Sequence, residues 1–224
     1  MFALKLMAGV IVNVLIFAVP LFVLAGTLDW WRAWVIVGVM FAGTVWSVVS
    51  LPRDLLEERM KPPVQEGQPV SDRVLLILLL VTFGGVLVVT PLDVFRLHLL
   101  PTPDALVSSF GLGLFGLGFW IAYLALRENA FAAPVVKHQE ERQQTVIASG
   151  VYRVVRHPLY AGGLLLTIGL PLWLESYAGA LSTLAPIATI VARIVLEERF
   201  LRRALPGYAP YAQRVRYRLI PRLW

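Results

Sequence analysis

The sequence predicts an all-α fold: a polytopic membrane bundle of five or six transmembrane helices, with a C-terminal helical hairpin and an amphipathic C-terminal helix. Three observations predict it. The 224 residues are 58% hydrophobic and only 15% charged, against about a quarter charged in a soluble domain. Mean hydropathy is +0.73. The apolar residues also come in runs of about 20, the length needed to cross a bilayer as a helix.

Four spans follow in order, Leu4–Ala25, Trp31–Leu51, Val74–Pro91 and Ala105–Leu126. The first is too long and apolar for a signal peptide and lacks a small-residue cleavage site, so it is expected to be a retained span. Trp30, Trp31 and Trp34 stand at a span edge, where indole rings favour the interface. The loop after the second span, "PRDLLEERMKPPVQEGQPVSDR", starts as a mixed-charge helix and breaks at Pro62-Pro63. Its acids and bases are expected to form a solvated face. "GLGLFGLG", Gly111–Gly118, lies inside the fourth span. Its glycines suit close helix packing and no phosphate loop. A fifth apolar region, Leu159–Leu196, is interrupted at "LESYAG" by Glu175 and Gly179. Its arms of about 17 residues are short for full crossings, so two short spans and a re-entrant hairpin both fit. Residues 1–126 then form a four-span membrane scaffold, and 127–224 a second region of one integrated domain.

The net charge of +6 has a topological origin. Of 20 Lys and Arg, only Arg32 and Arg96 fall on one side of the predicted spans. The rest lie at the N-terminus, in the loops 52–73 and 127–156, or from Arg193 onward. That asymmetry puts both termini and the 127–156 loop on the cytoplasmic face, and removes nucleic acid as a partner. Cysteine is absent, which excludes disulfides and thiolate chemistry. The three histidines, His98, His138 and His157, have no ligand-like spacing, so no metal site is expected.

The polar residues concentrate in two stretches, Arg127–Tyr160 and Arg193–Arg222, separated by the apolar hairpin. A hairpin returns its far end beside its start, so the two stretches should meet and enclose a pocket at the membrane boundary. In "GVYRVVRHPLYAGG", Pro158 suits the first turn of a helix. His157 then stands at that helix's N-terminus, a natural anion site, with Arg156 adding charge. Gly162 and Gly163 clear space one turn in, and Tyr152 and Tyr160 offer flat faces and hydroxyls. An aromatic-basic interface belt would explain these residues singly, but needs neither the His-Pro pair nor the Gly-Gly. In "ARIVLEERFLRR", Arg193 and Glu197 share a helix face. Arg193 follows an apolar run, and a charge at membrane depth costs about 2.5–3.5 kcal/mol. It therefore has a purpose or a partner, with an intrahelical pair to Glu197 the plain structural answer. Glu198 then reads as a solvated neighbour. The tail "LPGYAPYAQRVRYRLIPRLW" suits an amphipathic helix on anionic lipid, or a lid over the pocket.

Read together, "QTVIASGVYRVVRHPLYAGG", "RIVLEE", "GYAPYAQRV" and a closing "IP" resemble the isoprenylcysteine carboxyl methyltransferase family, membrane-embedded enzymes that use S-adenosylmethionine. The likeness covers residues 144–221, in the family's order. The "GVYxxxRHPxY" element also occurs in phospholipid methyltransferases and membrane sterol reductases. The resemblance implies that Gln144, Thr145, Val146, Ile147, Tyr152, His157, Pro158, Leu159, Tyr160 and Glu197 contact the cofactor. It implies that Arg193 faces the substrate as the catalytic cation. Gln144 stands where the family commonly has histidine, and the preceding segment does not align cleanly, so Lys137, His138 and Gln139 stay open as cofactor contacts.

The implied chemistry matches the pocket. The cofactor's carboxylate suits the helix start at His157, and its ammonium or ribose hydroxyls suit Glu197. Tyr152 or Tyr160 suits the adenine or the sulfonium. Arg193 would hold an ionised carboxylate acceptor on a lipophilic substrate entering sideways from the bilayer. Phospholipid N-methylation, a nicotinamide-dependent membrane reductase and a non-enzymatic membrane protein are the alternatives. The acceptor and the oligomeric state are not legible.

Overall fold

A computed structural model describes residues 2–65, 68–136 and 139–224. Lys137 and His138 lie outside the described residues. The protein is 73% helix, with no strand among the described residues. Four long helices come first: α1 (Phe2–Ala25), α2 (Trp31–Ser50), α4 (Val70–Leu92) and α5 (Ala105–Glu128), with the short α3 (Arg53–Arg59) between α2 and α4. The hairpin follows as α6 (Pro158–Trp173), α7 (Tyr177–Ser182) and α8 (Leu184–Ala204), and α9 (Tyr208–Arg214) closes the chain. Among the described residues, five segments are long and apolar enough to span a membrane: 2–25, 31–50, 70–97, 105–128 and 177–204. At 16 residues, α6 rises only about 24 Å, short of a hydrocarbon core of about 30 Å. Side chains such as Leu4, Ile11, Val23, Val49, Val81 and Leu106 stay exposed. On a soluble protein such faces would be a liability, whereas in lipid they meet their own kind. The protein is an integral membrane helical bundle.

The chain forms two compact units. One comprises the residues through Ser50, Val81–Phe119 and Leu164–Ala185; the other comprises Leu51–Leu80, Trp120–Gly163 and Pro186–Trp224.

The first unit has an apolar core that includes Leu21, Ile36, Leu87, Phe115, Leu170 and Leu174. Glycine sets its tightest approach. A Cβ at Gly169 would meet the Gly111 carbonyl oxygen at 2.5 Å and the Phe115 nitrogen at 2.6 Å. Gly113 and Gly116 face open space, whereas a Cβ at Gly111 would meet Leu172 Cβ and the Trp173 nitrogen at 2.6 Å. The turn after α6 passes through Glu175 at φ 67°, a left-handed position that ends the helix without glycine's freedom. Arg32 holds it: its guanidinium lies 2.8 Å from Glu175 Oε1 and 4.5 Å from the centre of the Trp173 ring. Arg32 Nη1 donates to the Trp173 carbonyl at 3.1 Å, and Trp173 Nε1 donates to the Arg32 carbonyl at 2.8 Å. Ser176 then caps α7 by accepting from the Gly179 amide, while donating to Asp93 at 2.7 Å.

The second unit contains the residues predicted to carry chemistry. Its mixed-charge loop is no uniformly solvated face, because Glu58 and Asp72 are both buried. The tail also differs from a helix lying on lipid. In α9, Tyr208, Tyr211 and Ala212 are buried against Leu205 and Val215, with Val146 and Leu201 packed beside them. The amphipathic pattern is real, and its apolar face is used inside the protein.

Candidate active site

Pro158 opens α6 as the first-turn rule requires, with His157 immediately before it. Two extended residues dock onto the tail here: the Arg156 amide donates to the Tyr217 carbonyl, and the His157 amide to the Arg218 carbonyl, both at 2.9 Å. Glu198, on α8, holds the junction together. Its Oε1 accepts from Arg156 Nε at 2.6 Å and lies 3.2 Å from His157 Nε2. Its Oε2 accepts from Arg218 Nε at 3.2 Å. Arg156 also donates through Nη1 to the carbonyls of Val215 and Arg216, at 2.7 and 2.8 Å. Both Arg156 and Glu198 are buried. Glu198 is therefore a structural hub instead of a solvated neighbour, and Arg156 is committed to protein partners.

Glu197, one residue earlier, points elsewhere and accepts from the Tyr160 hydroxyl at 2.7 Å. Arg193 does not pair with it. Arg193 Nε donates to Asp72 Oδ1 at 2.9 Å, and Nη2 donates to the Pro134 carbonyl at 2.8 Å. Asp72 is further tied down by Gln68 Nε2 at 2.7 Å and the Val136 amide at 3.0 Å. A carboxylate 121 positions away in sequence supplies the partner that membrane depth demands. No helical spacing could have found it.

These elements line an open cleft of about 860 Å³ counted to its mouth, with the solvent it holds included. Gln144, Thr145, Val146, Ile147, Tyr152, His157, Leu159, Tyr160 and Glu197 all line it. Pro158 is buried behind the lining, and Gly162 and Gly163 are not part of it. Gln139 also lines the cleft, but its side chain is engaged with the Phe131 carbonyl and with Arg142. Its amide holds Gln144 by donating to Oε1 at 2.9 Å. Arg193 lines a second cleft with Asp72, Leu75, Leu196 and Phe200, and Val136 and Glu197 border both.

Sequence reasoning missed Asn129, Tyr208 and Tyr211 in the first cleft. Asn129 Nδ2 donates to the Tyr152 hydroxyl at 3.2 Å, and the Tyr211 hydroxyl donates to the Tyr152 carbonyl at 2.9 Å. The two tyrosines of "GYAPYAQ", three apart on a helix start, are the signal that could have found them. Burial pushes the Tyr152 phenol up to about 12, against the Asn129 hydrogen bond, which favours the phenolate. Burial likewise raises Tyr208, reinforced by the charges of Glu198 and Glu197. Both stay neutral at physiological pH. The Tyr208 hydroxyl is buried without a hydrogen-bond partner among the described residues.

The donor set fits a ligand with a flat aromatic part and several polar groups. Amide and hydroxyl groups of Asn129, Gln144 and Thr145, the Glu197 carboxylate and aromatic Tyr152 and Tyr160 share one cavity with apolar Ile147 and Leu159. Among the described residues, no group of three His, Asp or Glu is placed to hold a metal ion.

Such a cleft, in a bundle of membrane-spanning helices, belongs to an integral membrane protein with room for a small polar ligand. Comparison with known proteins narrows that class. Residues 106–206 match the phospholipid methyltransferase family, which takes in the isoprenylcysteine methyltransferases. The chain is 30% identical over 112 residues to protein-S-isoprenylcysteine O-methyltransferase B of Arabidopsis thaliana, covering 49% of this chain and 57% of that protein. It is 42% identical over 74 residues to the cobalt-zinc-cadmium resistance protein CzcN of Cupriavidus metallidurans, covering 33% of this chain and 34% of that protein. The matched stretches thus span between a third and just over half of these relatives. The findings support the methyltransferase family that the motifs indicate, in an integral membrane protein.

Proposed function

We propose that this protein is an S-adenosylmethionine-dependent membrane methyltransferase acting on a lipophilic acceptor, with carboxyl O-methylation of a prenylcysteine-like or other isoprenoid substrate as the leading reaction. One observation carries the reading: the cleft is lined by nine of the ten residues implied as cofactor contacts. Residues 127–224 are the catalytic region, and the 1–126 spans its scaffold. By the distribution of Lys and Arg, the cleft and both termini face the cytoplasm.

In this reading the first-turn amides of α6, at Leu159 and Tyr160, face the cofactor's carboxylate. Glu197 holds its ammonium or ribose hydroxyls, with Tyr160 fixing that carboxylate's orientation. Tyr152 or Tyr160 offers a π face to the adenine or the cation. When bound, S-adenosylmethionine supplies an electrophilic methyl group. The protein's part is to align the acceptor with it and to keep water out. A carboxylate acceptor is ionised at neutral pH and needs no general base. Arg193, beside the shared wall at Val136 and Glu197, holds it. The acceptor's tail enters along the apolar side chains of the second cleft.

A second reading, methylation of a lipid amine, draws on the Asp72–Arg193 pair. A guanidinium already countered by a carboxylate repels a neutral or cationic nucleophile less than a free one. Two measurements separate the readings. Calorimetric titration of S-adenosylmethionine into the detergent-purified protein should saturate, and Glu197→Gln should weaken binding about tenfold or more. Arg193→Ala should then lose turnover of a farnesylated cysteine while keeping that affinity. Turnover of phosphatidylethanolamine that survives in Arg193→Ala would shift the assignment to the amine. No saturable binding at all would overturn the methyltransferase reading in favour of a nicotinamide-dependent reductase or a non-enzymatic role.

A further inference from the structure

The Tyr208 side chain is an anomaly in an otherwise well-paired site. Its neighbour Tyr211 donates to a backbone carbonyl, Tyr160 donates to Glu197, and Tyr152 accepts from Asn129. Tyr208 is 4% exposed and its hydroxyl has no partner among the described residues, although its ring packs in the apolar cluster of Leu205, Tyr211, Ala212 and Val215. Phenylalanine would fill the same volume without the desolvation cost of an orphaned hydroxyl. The hydroxyl belongs to a residue that lines the cleft, and burial with two nearby carboxylates keeps it protonated and so able to donate.

The structure assigns Tyr208 as a binding residue for the methyl donor, its hydroxyl donating a hydrogen bond to an acceptor atom of the bound cofactor. This rests on the methyltransferase reading. The acceptor is either the amino-acid carboxylate or an oxygen or nitrogen of the nucleoside, and both offer the lone pair that the protein withholds. The charges around Tyr208, those of Glu198 and Glu197 against that of Arg156, are of both signs and select neither.

The test is Tyr208→Phe in the full-length protein, read by two quantities that do not depend on turnover. Without ligand, thermal unfolding should be unchanged or shifted slightly upward, because an unsatisfied polar group is removed. Affinity for S-adenosylhomocysteine, measured calorimetrically, should fall about three- to tenfold, the worth of one hydrogen bond. Methylthioadenosine, which lacks the amino-acid end, locates the contact: an equal loss assigns the nucleoside, and no loss with this probe alone assigns the carboxylate. Unchanged affinity for both probes overturns the assignment. So does a ligand-free variant that melts several degrees lower, since the hydroxyl would then serve the fold. Tyr211→Phe is the comparison: it removes a bond made inside the protein and should lower the ligand-free melting temperature. If wild type binds neither probe, the methyltransferase reading itself falls and takes this assignment with it.

Discussion

The two compact units each hold a polar cluster, and the clusters are built to different ends. In the first unit Arg32, Glu175, Asp93 and Ser176 close on one another and on nearby backbone. The cluster holds the turn that leads from α6 to α7, including the left-handed Glu175. In the second unit Glu198 gathers Arg156, His157 and Arg218 just as tightly, yet its sequence neighbour Glu197 opens onto a cleft together with an unpartnered tyrosine. A fully satisfied polar network fixes conformation; the one with capacity left over is where we propose that the ligand binds.

Adjacent glutamates on α8 give this contrast its sharpest form. Glu198→Ala strands Arg156 and His157 in a buried site and releases the tail from the start of α6. Removing one partner from a buried ion pair costs about 3–5 kcal/mol, the largest effect expected from any single change discussed here. Thermal unfolding in detergent should show it as a fall of many degrees, or as a failure to recover folded protein. Glu197→Gln keeps the shape and spares that network, so it should melt close to wild type. If Glu198→Ala melts like wild type instead, the hub is dispensable and the contrast between the two acids collapses.

Sequence and structure agree best where the information is periodic. The four long spans were legible to within a few residues because apolar runs and their polar ends are local facts. The break at "LESYAG" was legible for the same reason, and falls at Leu174–Ser176, between α6 and α7. The cleft was largely legible through a resemblance, not through periodicity. What escaped was pairing at long range. Helical spacing offered Glu197 as the partner of Arg193, but a fully buried guanidinium takes the carboxylate that tertiary packing brings to its Nε edge, which is Asp72. Glu198 looked solvated because the expected Arg193–Glu197 pair left it no role; its burial depends on where the tail returns. Tyr208 carried only its three-residue spacing to Tyr211, and in the structure the absence of a partner for its hydroxyl marks it.

A smaller effect probes the first unit, where packing replaces polar closure. Alanine at Gly169 would drive its Cβ into the backbone of Gly111 and Phe115. Backbone cannot rotate aside, so overpacking there should cost about 1–3 kcal/mol. Gly113→Ala adds the same methyl group on α5, where nothing lies within 4 Å. It should be neutral or stabilise by up to about 1 kcal/mol through helix propensity. Tryptophan fluorescence during thermal unfolding reads both, and equal melting points would mean that α5 and α6 do not approach through these glycines.

The smallest effect comes from titration of the cleft wall. Tyr152 is raised from 10.0 to about 12, chiefly by burial, so its neutral form belongs to the folded state. The stability this contributes is complete below about pH 10, the unfolded value, and is lost as pH climbs through the folded value near 12. At pH 11 the loss is about 1 kcal/mol. Tyr208 and Tyr211 are raised for the same first reason and steepen the decline over the same interval. Melting temperature between pH 9 and 11 should therefore fall, and in Tyr152→Phe it should fall less steeply from its own starting value. A decline of equal slope in the variant would place the alkaline sensitivity outside Tyr152. A shallower one ties it to the cleft, where a neutral phenol is held between Asn129 and the carbonyl-to-hydroxyl contact with Tyr211, and not to the closed cluster around Arg32, which has no phenol to ionise.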